Sequence, residues 1–217
     1  MPRIPNNSAE SDIQFADVEG KRRGRRSRGD CGASVDSAGK ACAVYREVGI
    51  IAGMADETLT LLATEVRGKT LRLLEGVTED MARFAAPGLN NSILWHAGHS
   101  LVTVEHLSVM PATGQPAGYP ADWFNKFSWK SMPSAVTDWP ALAVVIDALR
   151  DQLQRLTTAI AAIPPERLDV IVDPAKNRTL RYSVLHGLHD EAGHQGEIWL
   201  LRKMFGKQSA AATSTGS

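Results

Sequence analysis

The chain has 217 residues, of which 43% are hydrophobic and 22% are charged, a composition typical of one globular domain with a sizeable core. Its formal net charge is zero at pH 7, which argues against nucleic-acid binding or membrane binding by the protein as a whole. Cys31 and Cys42 are too few and too far apart for a disulfide framework or a thiolate zinc site, and no apolar run approaches the ~18 residues of a membrane span. A cytoplasmic location without a membrane partner is therefore expected.

The first part of the chain, residues 1 to 53, differs from the rest in composition. It is rich in Gly, Ser, Asp and Arg and lacks hydrophobic periodicity, which predicts disorder. A basic cluster from Lys21 to Arg28 could serve nucleic-acid binding or localisation, but flanking acidic residues dilute its charge and disfavour that interpretation. Met54 opens the first helical segment, so it is also a candidate translation start, in which case residues 1 to 53 do not belong to the native protein.

Two helices are predicted in the first half of the remaining chain. Leucines and valines recur at helical spacing among charged residues over residues 55 to 76, and a short helical turn is predicted from Thr78 to Phe84. Asn90 or Asn91 is the predicted N-cap of a second long helix, which runs to about Met110 before a proline and a glycine stop it.

Two further helices are predicted in the second half. Apolar residues recur at steps of three and four from Leu142 to Ile163, with Asp138 as the predicted cap and Pro164 at the end. The fourth helix is predicted from Ser183 to Phe205, and Gly206 is expected to close it.

Four long helices and no alternating strand pattern predict an all-α, four-helix bundle over residues 54–208, followed by a flexible tail over 209–217. The connection from 111 to 137, between the second and third helices, is long enough to cross the bundle or to cover one end. Its aromatic residues need to be buried, and the end of the bundle is the expected place. These residues are Trp123, Phe124, Phe127 and Trp129. Trp95 and Trp199 are predicted to belong to the core.

The positions of the histidines in the sequence indicate which kind of functional site the chain carries. Five of the six lie in two short motifs, and on a helix His186, Asp190 and His194 fall within about 80° of one another. Imidazole nitrogens and carboxylate oxygens bind divalent ions such as Zn, Ni, Fe or Mn. One ligand from another helix would complete a site of three protein ligands with open positions, and His99 is the candidate.

Several alternatives remain for the ligand set. His96 lies on the same helical stripe as His99 and can replace it as a ligand. Asp190 can instead orient a histidine ligand by accepting its N–H, in which case His186, one turn earlier, is a substitute ligand. His189 lies about 140° from His194 around the helix and is the weaker alternate.

Two residues that follow His194 have predicted roles of a different kind. Glu197 lies about 60° from His194 on the helix, so it is the candidate catalytic proton acceptor beside a metal-bound water, with a surface charge as the alternative. Gly196 is predicted to allow close approach of a neighbouring helix.

Three segments resemble the DinB-like (DinB/YfiT) superfamily of metal-binding four-helix bundles: NSILWHAGH, DWFNKFSWKS and LHGLHDEAGHQGEI. The resemblance covers about residues 55 to 206. It implies one metal ligand from the second helix and two, four residues apart, from the fourth, and these fall on His99, Asp190 and His194. Many members have histidine where this chain has Asp190, so the literal ligand set here is two histidines and one carboxylate.

The resemblance also implies an activity. Characterised DinB-like proteins include thiol-dependent transferases and isomerases that use mycothiol or bacillithiol. The expected function is therefore a metal-dependent enzyme that activates a low-molecular-weight thiol to act on a small-molecule substrate, with hydrolysis by an activated water as the second interpretation. A non-catalytic, metal-stabilised binding or dimerisation module is the competing hypothesis, and a homodimer is compatible with either.

Overall fold

The computed structural model describes residues 56–214, and the side chains of residues 56–208. The predictions for residues 1–53, which concern disorder, the basic cluster and the translation start at Met54, lie outside the described residues.

The described part of the chain is predominantly helical, as predicted. The helices are, in chain order, α1 (Glu57–Leu74), α2 (Glu79–Arg83), α3 (Ile93–Val104), α4 (Met110–Thr113), α5 (Asp122–Phe127), α6 (Leu142–Ala162), α7 (Pro165–Leu168) and α8 (Leu180–Ser214). Two short strands, β1 (Ile171–Asp173) and β2 (Arg178–Thr179), form an antiparallel hairpin between α7 and α8. Strands of this length are too short to produce the alternating pattern by which a sequence reveals a strand.

The long helices pack as a four-helix bundle. Helix α1 contacts α6 and α8, and α3 likewise contacts α6 and α8, so each helix has two neighbours. The core lies between them and consists mainly of leucine, isoleucine, valine and alanine side chains. Within the described residues, no helix combines the length and apolar character that a membrane crossing requires.

The helix that carries the first histidine motif begins at a serine. The Ser92 Oγ accepts a hydrogen bond from the Trp95 backbone N–H at 3.3 Å, so Ser92 is the N-cap of α3. The predicted caps Asn90 and Asn91 are therefore wrong by one or two residues. After Val104, α3 continues through a π-helical turn into α4, and the chain leaves the helix at Gly114, which has a positive φ of 69°.

The predicted cap of the third long helix is also wrong. Ala141 occupies the N-cap of α6, and the first free N–H, that of Leu142, donates to the Glu79 Oε1 at 2.6 Å. Asp138 instead lies 2.8 Å from the Lys126 Nζ. The Glu79 carboxylate on α2 therefore accepts a free N–H at the start of α6. The sequence around the start of α6 cannot reveal a partner that comes from another helix.

Helix α8 is longer than predicted at both ends. It begins at Leu180, before the predicted start at Ser183, and it continues through Gly206 to Ser214. The tail over 209–217, predicted to be flexible, thus begins within this helix. Gly206 lacks the positive φ that Gly114 adopts at a helix end, and a helix interior tolerates one glycine at about 1 kcal/mol.

The connection between α4 and α6 covers one side of α3, where α5 packs. It buries Trp123 and Phe127, which are 6% and 0% exposed, as predicted. It half-buries Phe124, but Trp129 is 40% exposed, so the prediction of burial is wrong for Trp129. Trp95 is buried at 5% exposure, whereas Trp199 is 50% exposed, so the prediction that Trp199 belongs to the core is wrong.

Candidate metal centre

Contacts with α1 fix the orientation of helix α8 about its own axis. Glu191 is fully buried, and both of its carboxylate oxygens accept hydrogen bonds from the Arg67 guanidinium, at 2.8 and 2.9 Å. Four residues on, the Gln195 Nε2 donates to the Val66 carbonyl at 2.8 Å. The residues that precede these two in sequence, Asp190 and His194, are rotated by about 100° and face α3 instead.

Helix α3 and α5 together position His99. A Cβ on Gly98 would lie 2.2 Å from the Phe127 ring, so only glycine lets α5 approach α3 this closely. The His99 Nδ1 donates to the Phe127 backbone carbonyl at 2.7 Å, and its ring stacks on that of Trp95 with 4.6 Å between centroids. The imidazole is buried at 5% exposure and held from two sides.

Three ligand atoms converge between α3 and α8. The Asp190 Oδ2 lies 3.5 Å from the His99 Nε2 and 3.6 Å from the His194 Nε2. A tetrahedral ion with bonds of about 2.0–2.1 Å separates its ligand atoms by roughly 3.4 Å, so these spacings fit a shared ion. The Oδ2 is buried and has no hydrogen-bond partner. A buried carboxylate oxygen without a partner is costly, and a cation would satisfy it.

The hydrogen bonds assign the tautomers of both histidines. The His99 Nδ1 donates to a carbonyl, and the His194 Nδ1 lies 2.6 Å from the Glu197 Oε2, which can only accept while the carboxylate is ionised. In both rings Nδ1 therefore carries a proton and Nε2 is turned toward Asp190, so that an unprotonated Nε2 can offer its lone pair to an ion. An oxygen atom that accepts the N–H of a metal-binding histidine typically fixes the ring in the tautomer and orientation that bind the metal.

A second group of possible ligands shares His194. The His96 Nδ1 lies 3.0 Å from the His194 Nδ1 and 3.0 Å from the Glu197 Oε2. His96 is buried, whereas the Glu197 side chain is 54% exposed. Together these three residues form another cluster in which an ion could be held, on the opposite side of the His194 ring.

The electrostatics of the two clusters differ. The hydrogen bond from His194, and then that from His96, holds the pKa of Glu197 well below its ordinary value, so the carboxylate is ionised. Burial lowers the pKa of His96 more than Glu197 raises it. Burial alone would raise the pKa of Asp190, but contact with His99 and the nearby imidazole charges lower it overall. At 3.5 Å the His99 contact is electrostatic rather than a true hydrogen bond.

The other sequence-based candidates lie outside these clusters. His186 is partly buried one turn before Asp190 and stacks on the Tyr182 ring, with 5.9 Å between centroids. His189 is exposed, in agreement with its predicted place on another face of the helix. Gly196 has open space where a Cβ would be, so the prediction of a close helix approach there is wrong.

Two residues that sequence reasoning missed contribute to the site. The Phe127 carbonyl comes from the connection between α4 and α6, and a backbone oxygen leaves no signature in sequence. The Thr103 hydroxyl lies 3.2 Å from the His99 Nε2 and can donate to it, which is consistent with a free lone pair there. The spacing of Thr103 four residues after His99 on one helix could have identified it.

A comparison with protein families gives one match. A model of the DinB superfamily matches residues 62–198. The chain belongs to the DinB superfamily. A search of curated proteins finds no match.

The DinB-superfamily match contains both candidate clusters. It begins within α1 and ends at Ile198 on α8, so His96, His99, Asp190 and Glu197 all lie inside it. The family prediction made from the histidine motifs is thus confirmed. The identity of the residues that bind an ion stays a prediction. The described residues contain two clusters that could hold an ion, and His194 belongs to both.

Proposed function

We propose that this DinB-superfamily protein binds one divalent metal ion through His99, Asp190 and His194. The observation that supports the proposal most strongly is the buried Asp190 Oδ2, which has no hydrogen-bond partner and faces two histidine Nε2 atoms. A cation between these three atoms would accept the lone pairs of both Nε2 atoms and neutralise the charge of the carboxylate oxygen.

The ligand set restricts the ion to a few candidates. Two imidazole nitrogens and one carboxylate oxygen suit Zn, Ni, Fe or Mn, and the carboxylate improves the binding of harder ions relative to three histidines. Glu197 is proposed to hold the His194 ring through its Nδ1–H, at 2.6 Å. Its predicted role as a proton acceptor for a bound water remains a second proposal, since its carboxylate is largely exposed.

The proposed activity is metal-dependent activation of a low-molecular-weight thiol, or of a water, toward a small-molecule substrate. A bound divalent ion at such a site holds a thiol as its thiolate or lowers the pKa of a water toward about 7. The Trp95 and Phe127 side chains exclude solvent from the α3 side of the centre, because both are buried. His99 and His194 are kept in position by the Phe127 carbonyl and Glu197.

The activity proposal is tested with the metal-loaded, untagged protein. In the cobalt-loaded form, addition of a low-molecular-weight thiol is expected to produce a new near-ultraviolet absorption band, and thiol should be consumed when an electrophilic substrate is present. A cobalt spectrum that no thiol changes, with no thiol consumption, would contradict thiol activation. Hydrolysis of ester substrates by the same preparation distinguishes the water-activating alternative.

The second candidate function is a metal-stabilised dimerisation module. Leu185, Trp199 and Leu200 on α8 are 39%, 50% and 45% exposed, so this helix presents apolar surface that a second copy of the chain could cover. This candidate predicts a dimer in analytical ultracentrifugation that Trp199→Glu dissociates. A monomeric parent protein would exclude it, and the enzymatic proposal does not depend on the result.

A further inference from the structure

The hydroxyl of Thr103 bonds to a different kind of group from other helical hydroxyls of this protein. A threonine inside a helix often donates its O–H to the backbone carbonyl four residues earlier. The threonines that do so include Thr60, Thr64 and Thr157. The Thr103 hydroxyl instead lies 3.2 Å from the Nε2 of the His99 side chain, one turn earlier on α3. It is thus directed away from the backbone and toward a candidate metal ligand.

The direction of this hydrogen bond follows from the other nitrogen of the His99 ring. The His99 Nδ1 donates to the Phe127 carbonyl at 2.7 Å, so Nε2 is the acceptor nitrogen of the neutral imidazole. The Thr103 O–H is then the donor, and its side chain is only partly buried. In the metal-free protein this hydroxyl therefore pairs with the lone pair through which His99 would bind an ion.

The Thr103 oxygen also has the spacing of an atom at the edge of the metal centre. The Asp190 Oδ2 lies 3.5 Å from the His99 Nε2, and the Thr103 Oγ1 lies 3.2 Å from the same nitrogen. Ligand atoms of one tetrahedral ion are roughly 3.4 Å apart when the bonds are about 2.0–2.1 Å long. A neutral hydroxyl is not among the usual protein ligands of zinc, which are thiolate, imidazole and carboxylate. Its proton therefore stays available for another group bound at the ion.

We propose that Thr103 is the hydrogen-bond donor to the anionic atom, a thiolate sulfur or a hydroxide oxygen, that fills the open coordination position of the metal centre. This role rests on the proposed function, because it needs an ion at His99, Asp190 and His194. When the ion takes the Nε2 lone pair, the hydroxyl loses its acceptor, which is unfavourable for a partly buried donor. A negatively charged atom on the ion supplies a new acceptor, and such charge-assisted hydrogen bonds are stronger than neutral ones.

The hydrogen bond from Thr103 has a chemical consequence for the bound group. A hydrogen bond to the charged form of an acid favours that form, so the O–H stabilises a thiolate relative to its thiol, or a hydroxide relative to water. The ion acts in the same direction. The parent protein should thus bind a thiol at the ion more tightly than a variant that lacks this hydroxyl.

The donation to His99 is tested first in the metal-free protein, which keeps it separate from the metal proposal. Nuclear magnetic resonance of the histidine ring nitrogens is recorded at about pH 8, where an unperturbed imidazole is neutral. Thr103→Val keeps the shape of the side chain without the O–H, and it should shift the His99 Nε2 resonance. Thr157→Val removes a hydroxyl that donates to the Leu153 carbonyl, and it should leave that resonance unchanged. An unchanged His99 resonance in Thr103→Val would overturn the proposal.

The role at the ion is tested by titrating the cobalt-loaded, untagged full-length protein with mercaptoethanol and, separately, with sodium azide. At least one of them should bind and change the cobalt absorption spectrum of the parent. Thr103→Val should bind cobalt within about tenfold of the parent, but it should bind that probe about tenfold or more weakly, as expected for one hydrogen bond to a charged group. Thr103→Ser restores a hydroxyl and should recover the binding, and Thr157→Val should behave as the parent does.

The outcomes distinguish this proposal from the proposed function. A parent protein that binds no cobalt contradicts the proposed function and, with it, the role of Thr103 at the ion. A parent that binds cobalt but neither probe, or equal binding of the probe by Thr103→Val, would overturn the Thr103 role alone. Loss of cobalt from Thr103→Val would also overturn it, because the hydroxyl would then belong to the ligand set.

Discussion

Asp190 and Glu191 are neighbours in sequence, yet their carboxylates lie in opposite environments. Glu191 faces α1 and is surrounded by donors, which are the Arg67 guanidinium and the Thr70 hydroxyl, the latter at 2.6 Å. Asp190 faces α3 and has an oxygen with no donor at all. The difference separates a charge that the fold uses for its own stability from a charge that the fold leaves available for a ligand.

The largest expected effect comes from removing the Glu191 carboxylate, both of whose oxygens accept hydrogen bonds. Glu191→Ala leaves the Arg67 guanidinium buried and uncompensated, so the free energy of unfolding should fall by about 3–5 kcal/mol. Asp190→Asn leaves no buried cation without its partner, so it should destabilise the metal-free protein much less than Glu191→Ala does. Urea unfolding of both variants without metal measures the contrast. Equal destabilisation by the two variants would show that both carboxylates serve the fold.

Substitutions at Asp190 should affect metal affinity more than substitutions at Glu191 do, the reverse of their order for stability. Asp190→Ala should lose more than about 100-fold in affinity if the carboxylate is a ligand, but only about 10- to 100-fold if it merely orients a histidine. Asp190→His should keep binding and shift preference from Mn toward Zn or Ni. Competition titrations with Mn and Zn distinguish these outcomes. Unchanged affinity in Asp190→Ala would exclude Asp190 and favour the cluster of His96, His194 and Glu197.

Two glycines provide a matched test of how α5 supports the site. A Cβ on Gly98 would meet the Phe127 ring at 2.2 Å, whereas a Cβ on Gly196 would meet nothing within 4 Å. Gly98→Ala should therefore destabilise the protein by about 1–3 kcal/mol through overpacking, and it should weaken metal binding by displacing the carbonyl that holds His99. Gly196→Ala should stabilise α8 by up to about 1 kcal/mol. The reverse order in thermal unfolding would contradict the packing described for α5.

The smallest expected effect concerns an ion pair at the end of the bundle. The hydrogen bond from the Leu59 N–H, and then that from Arg181, lowers the pKa of Asp56 below its unfolded value of 3.8. Its contribution to stability is therefore fully present above pH 3.8 and is lost as the pH falls through the lower folded pKa. Asp56→Ala should cost about 1 kcal/mol at pH 7 through loss of the α1 cap, and the difference from the parent should shrink as the pH falls below 3.8. A constant difference across this range would refute the assignment.

Most of the bundle, and the pair of candidate ligands on α8, could be predicted because they depend on local periodicity. The step of four between Asp190 and His194 places both on one face of a helix whatever the rest of the chain does. The choice between His96 and His99 could not be made from sequence, because both lie on the same stripe. It depends on the path of the connection that brings the Phe127 carbonyl to His99.

The features that sequence missed arise from contacts between distant segments. Ser92 rather than Asn90 or Asn91 caps α3, because several cap residues stand in succession and tertiary packing decides among them. The hairpin before α8 consists of strands too short for a periodic signal. Gly98 resembles any helical glycine in sequence, and only the position of Phe127 reveals why a side chain is excluded there.

Metal stoichiometry in single-residue variants tests the central claim most directly. Protein purified without a histidine tag and loaded with Zn should contain one ion per chain in the parent and in His189→Ala. His99→Ala and His194→Ala should contain almost none, while His96→Ala and Glu197→Ala should bind more weakly but still stoichiometrically at saturation. If His99→Ala retained the ion and His96→Ala lost it, the ion would lie in the cluster of His96, His194 and Glu197, and the assignment of Asp190 as a ligand would be wrong.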